Sequence, residues 1–156
     1  MPFTTEYSND ILNMLFGKKS ATVMQLYDRI YLALSSNDPT TSNGAFSELG
    51  GNGYERVLIS NRAETYPNLI GEASERKIKN EVEIHFKQST DSWPTAHGIG
   101  LYGVNVNSKG EELTPVFLWY GSLASNPLVV DKAGMVPLLS EEALTIAMAE
   151  SDQPLT

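Results

Sequence analysis

Glu81-Val82-Glu83-Ile84-His85-Phe86-Lys87 alternates apolar with charged or polar residues at every step. Side chains of an extended chain point to opposite faces in turn, so this period of two is the mark of a strand with one buried face. The pattern predicts Val82, Ile84 and Phe86 inward and Glu83, His85 and Lys87 toward solvent. Toward the N-terminus, Tyr27 to Leu34 reads as a strand with Ile30, Leu32 and Leu34 on one face and Tyr31 and Ala33 on the other. Tyr54 to Ser60 is a second, entered through Gly50, Gly51 and Gly53, which permit a bulge or a close backbone approach. Between these two, SSNDPTTSNG is turn chemistry and predicts a surface loop. Toward the C-terminus, Gly98 to Val106, Pro115 to Ser122, Pro127 to Val130 and Leu144 to Met148 are further strands, separated by NSKGEE, ASNP and DKAG. SEEALTIAMA also fits a helix capped by Ser140; the strand reading places Leu144, Ile146 and Met148 inward.

Strands at this spacing predict a mainly β fold, an antiparallel β-sandwich of jelly-roll or Ig-like type. One short α-helix is expected over Asn9 to Phe16, with Ile11, Met14 and Leu15 on one side, Ser8 as cap and Gly17 beyond the end. The 156 residues suffice for a single domain over 1–156: a helix or arm over 1–20, the sandwich over 26–149 and a loose tail over 150–156.

The formal net charge of −8 repels phosphate backbones and anionic bilayers, so neither nucleic acid nor membrane is an expected partner. No apolar run nears the ~20 residues that cross a bilayer, and no basic leader precedes an apolar stretch. With no cysteine there is no disulfide, thiolate ligand or thiol nucleophile. His85 and His97 lack carboxylates at ligand spacing, so no metal site is expected: His85 belongs to the polar face of its strand and His97 to a hydrogen-bonded structural role. Gly-Gly-Asn-Gly-Tyr lacks the lysine and hydroxyl of a phosphate loop, and no serine sits in a nucleophile elbow. No catalytic residue and no cofactor are nominated. Trp93, Tyr102, Phe117, Trp119 and Tyr120 suit either a carbohydrate or nucleotide platform, or a core or interface, the commoner use of strand aromatics.

Several local patterns, in order, resemble a family of small bacteriophage virion proteins labelled tail fibre or decoration proteins. They are Tyr31-Leu32-Ala33-Leu34 followed by Ser35 to Thr40, Glu48, and Gly-Gly-x-Gly-Tyr-x-Arg from Gly50 to Arg56. Farther on come Trp93, Thr95 and His97 ahead of Gly98 to Tyr102, Trp119-Tyr120-Gly121-Ser122-Leu123, Val130 to Met135, and Ala143 to Ile146. The segment Arg62 to Lys79 is longer and more charged than the pattern. The resemblance implies a structural part of a phage particle, without enzymatic activity, foremost a capsid decoration or cement subunit. The alternative is a tail or tail-fibre component that attaches to the host surface, in which exposed aromatics such as Trp119 and the loop Asn37 to Gly53 take part. Expected partners are major capsid or tail proteins and further copies of the chain as a homo-oligomer, in the virion and, during assembly, in the host cytoplasm. Candidate interface residues are Met14, Leu15 and Phe16 on the helix, then Tyr54, Arg56, Trp119 and Tyr120.

Overall fold

A computed structural model describes residues 4, 7, 27–61, 69–71, 74 and 77–147. The expected helix over 9–16, with Met14, Leu15 and Phe16, and the tail over 150–156 lie outside these residues. Among the described residues the fold is mainly β and all paired strands are antiparallel. The strands are β1 (Arg29–Ser35), β2 (Val57–Asn61), β3 (Lys77–Lys79), β4 (Ile84–His85), β5 (Gly98–Val104), β6 (Val116–Ser122), β7 (Leu138–Leu139) and β8 (Thr145–Ala147). They pair as a four-stranded sheet in the order β2-β1-β5-β6 and two two-stranded ladders, β3-β8 and β4-β7.

Register assigns the faces of the large sheet. Leu32 pairs with Leu101 and Leu34 with Ile99, while Leu101 pairs with Trp119. These side chains share the inner face and are all buried. The β4-β7 ladder contributes Ile84 and Leu139 to the same cluster, and Phe86 and Leu144, next to β4 and β8, join it together with Trp93, Ala96 and Val130. Between the short ladders the chain continues its pairing irregularly: Phe86 N–H bonds Pro137 O, Ser89 N–H bonds Met135 O, Trp93 N–H bonds Val130 O and Ala96 bridges Leu128. Asn80, fully buried, joins the two ladders by donating to the Val82 and Ser140 carbonyls (2.7 and 2.9 Å) and accepting from Leu144 N–H (3.0 Å). A buried amide with its hydrogen bonds made avoids the desolvation cost of an orphaned one.

Open sheets must cover their edges. Here each edge strand of the large sheet carries an extra residue: Ile59 where β2 passes Ile30/Tyr31, and Leu118 where β6 passes Leu101/Tyr102. The carbonyls of these two residues accept the N–H of Leu69 (2.9 Å) and Thr4 (3.0 Å). At each edge the bulged residue thus offers a carbonyl that a residue outside the sheet takes up.

Two expected details are corrected. Val82 is 46% exposed although Ile84 and Phe86 are buried as expected. The chain bends at Glu81 and Val82, where the Asn80 amide takes the Val82 carbonyl, and the ladder begins only at Ile84. Pro127 to Val130 is no strand but a single bridge at Leu128. Pro127 has no N–H for a ladder, and Val129 is 55% exposed. Within the expected strand Leu144 to Met148, Thr145–Ala147 is extended, with Leu144 buried and Ile146 packed against the core, and Met148 lies outside the described residues.

Candidate binding face

The outer face of the four-stranded sheet is built by the other half of each strand. Arg29, Tyr31, Ala33 and Ser35 of β1 stand opposite Val104, Tyr102, Gly100 and Gly98 of β5. Those in turn meet Phe117, Tyr120 and Ser122 of β6. Gly98 and Gly100 leave a bare strip on β5, and the loop from Ser36 to Glu48 lies down on it. A Cβ on Gly98 would come within 2.4 Å of Pro39 Cδ, and one on Gly100 within 2.7 Å of Phe117 Cε1 and 2.8 Å of Phe46 Cε2. The loop is tied at several points. Ser47 N–H donates to Ser35 Oγ at 3.0 Å, Asn37 Nδ2 donates to Ala45 O at 2.8 Å, and Ser122 Oγ donates to Asp38 Oδ2 at 2.7 Å.

The result is a connected group of rings on the solvent side. Phe46 meets Phe117 at 5.1 Å and Tyr102 at 6.1 Å, and Tyr102 meets Phe117 at 5.0 Å. Phe117 and Tyr120 lie 6.1 Å apart with planes within 17°. All four rings are half-buried. Burial raises the Tyr102 phenol pKa, and the Glu48 charge adds to the shift. The Tyr102 and Tyr120 hydroxyls have no protein partner among the described residues, whereas those of Tyr31 and Tyr54 are both bonded to carboxylates.

At one end of the rings stands Arg56, its guanidinium carbon 3.8 Å from the Tyr102 ring centre. Such a cation–π contact contributes about 0.5–2 kcal/mol. Arg56 also forks onto Glu48, which raises the guanidinium pKa further. Tyr54 donates to Glu48 at 3.1 Å and accepts Leu34 N–H at 2.9 Å, continuing the edge of β1 past the start of β2. Its ring meets Trp93 edge-on at 5.5 Å, and burial drives its pKa well above the usual phenol range. Gly53, at φ +84, lets this turn approach the backbone at Gln88, where a Cβ would sit 2.8 Å from the carbonyl oxygen. A second charged group lies on the same face: Arg29 donates to Glu112 at 2.7 Å and Tyr31 donates to the same carboxylate. The Tyr31 and Arg29 hydrogen bonds hold the Glu112 carboxyl below its ordinary pKa.

Of the candidate residues in the described part, Tyr54, Arg56 and Tyr120 come together around this face. Trp119 does not. Its side chain is fully buried on the opposite, inner face, and its indole N–H has no acceptor among the described residues. The expectation of an exposed Trp119 is corrected by register: Trp119 pairs with core Leu101, and its neighbour Tyr120 pairs with Gly100 on the outer face. Sequence reasoning missed Phe46, Arg29, Tyr31, Glu112 and the Asp38–Ser122 tie. The available signal was Gly98 and Gly100 two apart on one strand, which empties one face for another segment. No group of three or more histidines, aspartates or glutamates able to hold a metal occurs among the described residues.

Fold and face together define a mainly β, antiparallel protein with an aromatic outer sheet surface. The profile described as podophage GP4 fiber I protein gp80 matches residues 2–131, most of the sequence, and the chain belongs to that family of phage virion fibre proteins. No curated protein matches the chain.

Proposed function

We propose that this protein is a component of a phage tail fibre that attaches to the host surface, working without enzymatic activity. The family match carries this reading and favours it over the capsid-decoration expectation, since the family is described as a fibre protein. The aromatic outer face supports it. Rings that a sheet needs only for its core belong on the inner face, yet Phe46, Tyr102, Phe117 and Tyr120 gather on the other side, with the Arg56–Glu48 pair at the Tyr102 end. Half-buried aromatics and arginine are the residues that dominate binding surfaces. In this reading the sheet and the two ladders close on one core as a β-sandwich, which is rigid enough to hold the face in shape. Copies of the chain assemble with other tail proteins, so that weak single contacts add up by multivalency. Particles form in the host cytoplasm, and neither nucleic acid nor membrane is a partner.

The test is attachment of the purified, labelled protein to cells of the host bacterium. The reading predicts saturable binding that competes with adsorption of the phage. Absence of both binding and competition would refute it.

A further inference from the structure

We propose that the connected rings Tyr102, Phe117 and Tyr120, with the Arg56–Glu48 pair at one end, form a binding site for a neutral saccharide. The inference rests on the attachment reading and names its ligand class. Three observations carry it.

The first is the surface itself. Phe117 and Tyr120 stand nearly parallel, and Tyr102 joins Phe117 to the guanidinium of Arg56. A ring face is electron-rich, so it attracts the weakly positive C–H groups that line one side of a pyranose while shedding water from both. The ring positions are set in advance, because Phe46 and Phe117 rest on Gly100 and the Tyr120 ring rests against Gly44, where a Cβ would lie 3.3 Å away. Preorganisation of this kind reduces the ordering cost of binding.

The second is the state of the polar groups. Tyr102 and Tyr120 each present a hydroxyl that no described residue satisfies, beside a ring surface a ligand could cover. Tyr31 and Tyr54 on the same protein have theirs engaged by Glu112 and Glu48. A phenol both donates and accepts, which matches a polyol.

The third is charge. Both arginines of the face are already answered, Arg56 by Glu48 and Arg29 by Glu112. Asp38, whose pKa is lowered by hydrogen bonds from Thr40 and then Ser122, adds a negative charge at the far end, on a chain of formal net charge −8. A uronate, sialate or phosphate would meet repulsion, with both arginines that the described residues place on the face already paired. An uncharged sugar meets none.

The experiment uses the full chain and the polysaccharide released from the surface of the host bacterium, immobilised before and after periodate oxidation of its diols. Intact polysaccharide should bind, and periodate should abolish binding. Tyr102→Phe, which keeps the ring and removes only the hydroxyl, should weaken binding by about 3- to 10-fold, the worth of one hydrogen bond. Tyr120→Ala should weaken it more. Raising salt from low to high should leave the affinity unchanged. Binding that survives periodate, ignores both variants or collapses in salt would overturn the proposal while leaving attachment standing. If the wild-type protein also fails to attach to untreated cells, the attachment reading falls with it.

Discussion

Arg56 and Glu48 meet through two parallel hydrogen bonds, Nε to Oε1 and Nη2 to Oε2, each 2.7 Å long. The pair joins the end of the glycine-rich turn to the loop that lies on the sheet, and it stacks on Tyr102 by its cationic face. Both side chains are about a quarter exposed, at 29% and 24%, so water screens the pair only in part. A lysine carries the charge but has neither the fork nor the flat face. Arg56→Lys should therefore lower unfolding free energy by about 1–2 kcal/mol in a denaturant titration, between surface and buried pairs. An unchanged midpoint would show that the pair is ornamental to stability.

The bare strip on β5 makes a second claim. Gly98→Ala would force a methyl group against Pro39 and the Asn37 carbonyl, the latter only 2.7 Å away. Backbone cannot move aside as a flexible side-chain tip can, so the loop must lift or the sheet must deform. Overpacking of this kind costs about 1–3 kcal/mol. Gly50→Ala, at a position open to solvent, should be nearly neutral by the same measurement.

Trp119 separates volume from polarity. Truncation to alanine should cost about 3–5 kcal/mol through the cavity it leaves. Trp119→Phe also loses volume but removes a buried N–H that has no acceptor among the described residues. An orphaned buried donor carries a penalty of about 1–3 kcal/mol, so the phenylalanine variant should lose less than 2 kcal/mol. A loss equal to that of the alanine variant would mean that the indole N–H is satisfied in solution.

Acid should loosen the outer face first. Glu112 and Asp38 both have pKa values held below the carboxylate range, Glu112 by Tyr31 and then Arg29, Asp38 by Thr40 and then Ser122. A carboxylate with a depressed folded pKa contributes its stability in full above its unfolded value, near pH 4, and loses it as the pH falls toward the folded value. The unfolding midpoint should drop below about pH 4, and Glu112→Gln with Asp38→Asn should flatten that drop. An equally steep drop in the double variant would assign acid sensitivity to other groups.

Much of the large sheet was legible in the sequence because β1 and β5 are long and pair with each other without a break in register. Ile30, Leu32 and Leu34 read correctly as one face, and Gly98 to Val104 fell within the expected strand. The readings that failed depend on partners that alternation cannot see. Glu81 to Lys87 has perfect alternation, but its ladder pairs only Ile84 and His85, so Val82 is left at the bend. Val-Phe-Leu-Trp-Tyr-Gly-Ser carries apolar residues on both faces and an extra residue at Leu118. Nothing local distinguishes core Trp119 from outer Tyr120; pairing with Leu101 and Gly100 does. The binding face was less legible still, since Glu48, Arg56, Tyr102 and Phe117 lie in separate segments and converge only when the loop settles on the glycines.

Cryo-electron microscopy of the intact particle tests the central claim most directly. Density for the four-stranded sheet is expected in the fibre appendages of the tail, with the outer ring face turned away from the tail axis. The same density on the capsid lattice, or absent from the particle, would contradict it.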